Sequence, residues 1–245
     1  MNLAGCAALV TGASSGIGAA TAEALARSGA RLLLTGTDPA RLAQVCQRTG
    51  GTALLADLTD EAGLAEVSHA AAEVDLLVHS AGRGWAGEFA QMPADRVAEL
   101  TALNLVAPVV LSRAAVGPMR SRGRGHLVFV SSIATVGVHG EAVYAATKAG
   151  LRAFAASLRY ELAADQVGVT TVFPGAVDTP FFDHRGQRYD RRFPRPVSPS
   201  QVAAALLRAV ERDRAEVFLP RWLTLPARIN GAAPEVFHRL ASRFG

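Results

Sequence analysis

Tyr144 and Lys148 stand four residues apart in a stretch of helical periodicity, so both side chains project from one face. A phenol ordinarily ionises near 10 and is a poor acid or base at neutral pH. A neighbouring ammonium favours the phenolate and is expected to bring the group toward neutrality. The pair then forms a general acid or base. The lysine stands out for a second reason: the chain holds 24 arginines and this single lysine. Arginine can neither lower its pKa usefully nor act as a compact point charge, and lysine can do both.

Other reactive side chains fall at the ends of apolar runs. One run ends in Ser131-Ser132, where a hydroxyl can donate to a substrate carbonyl oxygen. Another ends in Pro174-Gly175-Ala176-Val177-Asp178-Thr179, a turn whose amides and Thr179 hydroxyl suit a carboxamide. The first run leads into Thr11-Gly12-Ala13-Ser14-Ser15-Gly16-Ile17-Gly18, followed at once by a helical pattern. Such a turn lets backbone approach a pyrophosphate, and the helix N-terminus favours the anion.

The residues after the second run bear on the adenosine ribose. An acid there would bind free ribose hydroxyls and repel a phosphate. The chain reads Thr35-Gly36-Thr37-Asp38 instead. Gly36 is expected to leave room where an acid often stands, Thr37 can donate to a phosphate, and Arg41 lies one turn on. The balance favours NADP(H), with NAD open. Asp57, followed by Leu58, ends the third run. It can accept from the adenine amino group or cap the helix that starts near Thr59–Glu61.

These groups need a scaffold that brings many chain segments to one edge. Short apolar runs at Ala7–Thr11, Arg31–Thr35, Thr52–Ala56, Leu76–His79, Leu127–Ser131, Val169–Phe173 and Val217–Leu219 read as strands buried on both faces. Amphipathic stretches alternate with them at Ile17–Ser28, Pro39–Thr49, Glu61–Glu73, Pro93–Met119, Val143–Ala163 and Pro199–Arg212. This alternation predicts an α/β fold, a doubly wound parallel sheet of Rossmann-like type in three α/β/α layers. One domain is expected over residues 1–245, with a lid near 180–197 and an amphipathic tail at 220–245.

Composition narrows the function. Net charge is +4 and half the residues are apolar. The charge is scattered and no reader motif accompanies it, so no nucleic-acid partner is expected. Cys6 and Cys46 show no metal spacing. No basic leader with a cleavage site precedes the first strand, and no apolar stretch is expected to reach the roughly 18 residues of a membrane span. A cytoplasmic address follows as an expectation.

Taken together, the motifs resemble those of the short-chain dehydrogenase/reductase family over about residues 5 to 220. They are TGASSGIG at 11–18, Asp57, Ala81-Gly82, Asn104, Ser131-Ser132, Tyr144-Ala-Ala-Thr-Lys148, and Pro174-Gly175 with Thr179. The resemblance implies a nicotinamide-dependent oxidoreductase acting on a carbonyl or alcohol. It implies a tetrad of Asn104, Ser132, Tyr144 and Lys148. Tyr144 would pass the proton, Ser132 would polarise the carbonyl, Lys148 would bind the ribose, and Asn104 would hold a water in a relay to solvent. It implies cofactor contacts from Gly12, Ser14, Ser15, Gly16, Ile17, Gly18, Thr37, Asp57, Leu58, Ala81, Gly82, Tyr144, Lys148, Pro174, Gly175, Val177 and Thr179. A dinucleotide-sensing regulator without chemistry is the alternative on this fold, and it would not need the tetrad.

The chain departs from the family pattern in three places. His79-Ser80 stands where the family often has two Asn. The spacing to Tyr144 fits Ser131, whereas strand phase favours Ser132. The tail after Leu219 is amphipathic rather than Gly-rich, which argues against copying a fatty-acid ketoreductase role. The lid carries Phe181 and Phe182 with Arg185, Arg188, Arg191, Arg192 and Arg195, expected either to bind an acidic substrate or to form a solvated lid. The tail, with Trp222, Leu223, Leu225, Ile229, Val236, Phe237, Leu240 and Phe244, suits the cleft, a sister subunit or a membrane surface. Resemblance also implies a homodimer or homotetramer built on the two longest helices.

Overall fold

The structure is a computed structural model, described here for residues 1–187, 189, 194–235, 237 and 239. Seven strands form one parallel sheet in the order β3-β2-β1-β4-β5-β6-β7. They are β1 (Ala7–Thr11), β2 (Arg31–Gly36), β3 (Thr52–Leu55), β4 (Leu76–His79), β5 (Gly125–Val130), β6 (Val167–Pro174) and β7 (Glu216–Leu219). All seven strands expected from the sequence are present, with ends shifted by at most two residues.

Alternate side chains of each central strand go to opposite faces. Val10, Leu34, Val78, Val128 and Val172 pack beneath α1 (Gly16–Arg27), α2 (Pro39–Thr49) and α8 (Pro199–Glu211). Leu9, Leu77, Leu127, Phe129 and Val169 face α3 (Glu61–Ala72), α5 (Ala107–Arg122) and α6 (Ala142–Glu161). Both faces are dry, which is why the strands read as continuous apolar runs.

Local chemistry sets several helix starts. Asp38 accepts from Arg41 N (2.9 Å) ahead of Pro39, and Ser198 with Gln201 forms a capping box ahead of Pro199. Asp60, not Asp57, caps α3, accepting from Gly63 N (3.3 Å).

The expected helix Pro93–Met119 is resolved into three pieces. They are α4 (Ala94–Thr101), a π-turn at Ala102–Val106, and α5. Contrary to the expectation from apolar runs, the 29-residue stretch Ala94–Arg122 is long and apolar enough to cross a membrane by length and composition. In the fold, Leu103, Ala107, Leu111, Ala115 and Met119 of this stretch are buried against the sheet layer, as in the core helix of a globular domain.

β1 and β4 lie side by side while their connections run to opposite sides of the sheet. Their carboxyl ends therefore part and open a crevice. Thr11 closes its floor: its hydroxyl accepts from Ser80 N and Ala81 N, both at 3.1 Å.

Candidate active site

The crevice is a cleft of about 1370 Å³ running from Asp38 and Arg41 at one end to Tyr144 and Lys148 at the other. Each residue expected to touch the cofactor lines it. Gly12, at φ +64, packs so closely on the next strand end that a Cβ would sit 2.7 Å from Ala81 Cα. Gly16, at φ +53, lies under Thr179, whose methyl would be 3.1 Å from a Cβ there. Two loops thus converge on backbone that only glycine supplies.

Ser15 at the start of α1 makes no capping bond with its side chain, whereas α2, α3 and α8 are each capped by a side chain. The α1 amides therefore face the cleft without a side-chain acceptor, as a pyrophosphate site requires. These features fit a nicotinamide dinucleotide.

The far end holds the reactive groups. Ser131 and Ser132 follow β5 and point oppositely. Ser131 is buried and its hydroxyl donates to Lys148 O (3.0 Å). Ser132 lines the cleft, its oxygen accepts from Ala134 N (3.1 Å), and it is hydrogen-bonded to the Tyr144 side chain. Both serines line the cleft, and it is Ser132 whose hydroxyl acts on the Tyr144 phenol.

Tyr144 and Lys148 share one buried face of α6. Lys148 Nζ donates to Val130 O (3.0 Å) and lies 5.7 Å from the centre of the Tyr144 ring. Burial pushes the Lys148 pKa down to about 8. Tyr144 departs from the sequence expectation. Burial drives its pKa upward, the Ser132 bond opposes this, Glu141 adds to it and Arg185 opposes it. The ammonium is spent on a backbone carbonyl, so desolvation wins and the phenol is held protonated.

Asn104 does not line the cleft; it sits fully buried behind it in the π-turn. Its Oδ1 accepts from Arg83 N (3.0 Å), and its Nδ2 donates to Arg83 O (2.9 Å) and Thr147 Oγ1 (3.2 Å). Thr147 in turn donates to Tyr144 O (2.8 Å). Asn104 therefore pins the loop after β4 to the helix that carries Tyr144.

A profile of the short chain dehydrogenase family matches residues 6–190. The chain belongs to the short-chain dehydrogenase/reductase family of oxidoreductases.

The chain is 35% identical to the probable oxidoreductase EphD of Mycobacterium tuberculosis, over 84% of this chain but only 39% of that protein, so it spans well under half of that relative. Among solved structures it resembles a Sphingobium yanoikuyae short-chain dehydrogenase in complex with NADPH. That match has a TM-score of 0.84 and 30% identity, covering 94% of this chain and 95% of the other. It also resembles the bulky-bulky ketone specific alcohol dehydrogenase of Comamonas testosteroni, at TM-score 0.79 and 29% identity, covering 96% and 95%.

Departures from the family pattern have physical explanations here. His79 stacks on Phe129 (centroids 4.8 Å) and its Nε2 lies 3.0 Å from Ser112 Oγ. Burial lowers its pKa to about 3, so it is a neutral core residue, and Ser80 takes the cleft side. Gly36 does not leave open room: Ser14 Oγ fills it, 3.0 Å from where a Cβ would stand. Asp57 turns inward on its own loop, accepting from Thr59 N (2.8 Å) and Thr59 Oγ1 (2.7 Å). Arg41 lines the ribose end but is paired with Asp38 at 3.3 Å.

The substrate side of this family member is built from three segments. Phe181, in the short helix α7 (Phe181–His184), packs on Tyr144 with ring centres 5.5 Å apart. Val197 is stapled beside Val177 at the base of the lid. Of the lid arginines, Arg185 is paired with Glu141 and Arg195 is exposed. Arg188, Arg191 and Arg192 lie outside the described residues, as do Val236, Leu240 and Phe244 of the tail.

The tail forms a 3₁₀ turn at Arg221–Leu223 and α9 (Thr224–Ala232). Leu223 and Ala227 bury themselves on Phe173 and Phe218, and Trp222, Pro226 and Phe237 line the cleft. Sequence reasoning did not single out Thr147, Glu141 or Pro226. Thr147 meets Asn104 and Glu141 meets Arg185 across 43 and 44 residues, and Pro226 reaches the cleft from the tail, so no spacing rule signals them.

Proposed function

We propose that the chain transfers a hydride between NADP(H) and a carbonyl or alcohol substrate. The observation that carries this is the convergence of Ser132, Tyr144 and Lys148 on one end of a dinucleotide-sized cleft whose other end presents Thr37 and Arg41. Thr37 and Arg41 suit a ribose phosphate, and the acid at this end, Asp38, is engaged by the Arg41 side chain and by the first turn of α2. The NADPH held by the Sphingobium relative supports the same choice.

When bound, the nicotinamide supplies or takes the hydride. In the reductive direction the Ser132 hydroxyl and the Tyr144 phenol both donate to the carbonyl oxygen. As the carbonyl carbon gains the hydride, Tyr144 delivers its proton to that oxygen. The buried, protonated phenol is in the form this step needs. Lys148, whose Nζ donates to Val130 O and lies 5.7 Å from the centre of the Tyr144 ring, would hold the nicotinamide ribose. Asn104, through Arg83 and Thr147, acts as a positioning residue. The exposed Val106 and Val110 on the outer side of the π-turn and α5 support a homodimer or homotetramer formed through that face. The packing of Leu223 and Ala227 favours the tail as a cleft wall over a membrane contact.

The test is a panel of ketones and secondary alcohols with both nucleotides. The expected result is turnover with NADPH, bound at least about tenfold tighter than NADH. Equal or tighter binding of NADH would overturn the cofactor assignment. Absence of nucleotide binding would overturn the reaction.

A further inference from the structure

Two loops that flank the reaction end of the cleft rest on one side chain of the tail. Leu223 ends the 3₁₀ turn that follows β7, and it is only 4% exposed. Together with Ala227 of α9 it packs on Phe173 of β6 and Phe218 of β7, and Ile133 and Val136 pack against the same cluster. Ile133 and Val136 bound a 3₁₀ turn that begins directly after Ser132. Ser132 Oγ accepts from Ala134 N within that turn (3.1 Å). The tail thus backs the loop that presents the Ser132 hydroxyl.

Leu223 also meets the loop after β6. Gly175 N donates to Leu219 O (2.7 Å), which brings this loop alongside the end of β7. A Cβ at Gly175 would stand 2.9 Å from Leu223 Cδ1, well inside carbon–carbon contact distance. Its next neighbours, Leu219 O and the Pro220 ring, would be at 3.6 and 3.8 Å, which is ordinary contact. Gly175 and Leu223 both line the cleft. Pro174-Gly175 opens the turn whose amides suit the nicotinamide carboxamide.

The Leu223 side chain has no polar atom to offer a ligand. Its contribution is position, because a close-packed interior passes a displacement on to whatever the displaced group touches. Hydride transfer is sensitive to this: the reacting atoms must approach to about 3–3.5 Å, and a misplacement of about 1 Å can cost roughly 10²-fold in rate. The residues that suit the pyrophosphate and the adenosine ribose follow β1 and β2, so most of the nucleotide affinity is built away from the tail.

We propose that Leu223 is a positioning residue for hydride transfer: by filling the space between Gly175 and the turn after Ser132, it holds the nicotinamide side and the carbonyl side of the centre at one separation. The inference rests on the hydride-transfer reading above.

Three quantities are measured on each variant: the NADPH Kd, the fluorescence anisotropy of the bound nicotinamide, and the single-turnover rate per bound NADPH. The ketone is acetophenone, or whichever ketone of the panel wild type reduces faster. Leu223→Ala should lower the rate about tenfold or more and lower the anisotropy, with the Kd within about threefold of wild type. Leu223→Met refills the space and should bring the rate back within about threefold of wild type. Leu225→Ala, at a neighbouring position that is 65% exposed, should match wild type in all three. Gly175→Ala presses on Leu223 and should also slow the reaction. Because the two residues act as a unit, Gly175→Ala/Leu223→Ala should be at least about fivefold faster than the product of the two single losses.

An unchanged rate or an unchanged anisotropy in Leu223→Ala overturns the proposal. So does a Kd that weakens in proportion to the rate, or a double variant whose losses simply multiply. Should Leu223→Ala fail to fold, Leu223→Val decides: it must slow transfer by about threefold or more at an unchanged Kd, and an unchanged rate overturns the proposal. If wild type binds NADPH but reduces no ketone, the hydride-transfer reading has failed, and the anisotropy still decides whether Leu223 fixes the nicotinamide side. A chain that binds neither nucleotide overturns both.

Discussion

The two ends of the cleft are built by different means. The dinucleotide end is made of backbone: a glycine turn packed on Ala81, an α1 N-terminus with no side-chain cap, and Thr179 seated over Gly16. The reaction end is made of side chains gathered from β5, the π-turn, α6 and the lid: Ser132, Asn104, Tyr144, Lys148 and the Glu141–Arg185 pair. The first end offers shape and fixed dipoles. The second offers groups whose protonation is set by burial. Substitutions at the two ends should therefore fail differently, one in nucleotide binding and stability, the other in turnover.

The largest effect is expected at Ser132. Ser132→Ala removes a donor from the carbonyl oxygen and should lower kcat by about 10²–10³, with the nucleotide Kd unchanged by titration. A matching loss of nucleotide affinity would blur the division.

Lys148 provides a stability test of the reaction end. Its folded pKa of about 8 lies below the ordinary lysine value. Between the two values the unfolded chain holds a proton that the folded Lys148 has released, so this group's contribution to stability rises with pH across that window. Below about 8 its penalty is complete and on the order of 3 kcal/mol. In the nucleotide-free protein, Lys148→Met should be at least as stable as wild type at pH 7, and the difference should shrink toward pH 10. Thermal melts of both proteins at the two pH values check this. A gap that widens with pH would contradict it.

A step smaller, Gly12→Ala forces a Cβ against Ala81 and should cost about 1–3 kcal/mol, with weaker binding of either nucleotide. Calorimetry and a nucleotide titration read both effects, and turnover at saturating nucleotide should fall less than affinity. The smallest effect is expected at the ribose. Thr37→Asp introduces the carboxylate that repels a 2′-phosphate and should shift the NADPH to NADH affinity ratio by roughly tenfold toward NADH.

The dinucleotide end was the more legible in the sequence because local rules govern it. Apolar runs located all seven strands, and Gly12, Gly16 and Thr179 are in place because turn chemistry depends on near neighbours. Even there, a contact across the fold intervened: Ser14 fills the space beside Gly36.

The reaction end was legible only in part. The spacing of Tyr144 and Lys148 on one helix face was readable. The sign of the Tyr144 pKa shift was not, because it depends on burial and on Lys148 reaching Val130 O rather than the phenol. The π-turn at Asn104 breaks a pattern that reads as one continuous helix, and it is fixed by bonds to Arg83 and Thr147. Glu141 and Arg185 are 44 residues apart, and no periodicity joins them.

The central claim is that Tyr144 performs the proton transfer at one end of a cleft whose other end binds the nucleotide independently. The most direct measurement is Tyr144→Phe, with the NADPH Kd and the single-turnover rate of ketone reduction determined on the same preparation. The account predicts a rate lower by about 10²–10⁴ and a Kd within about threefold of wild type. An unchanged rate would contradict it.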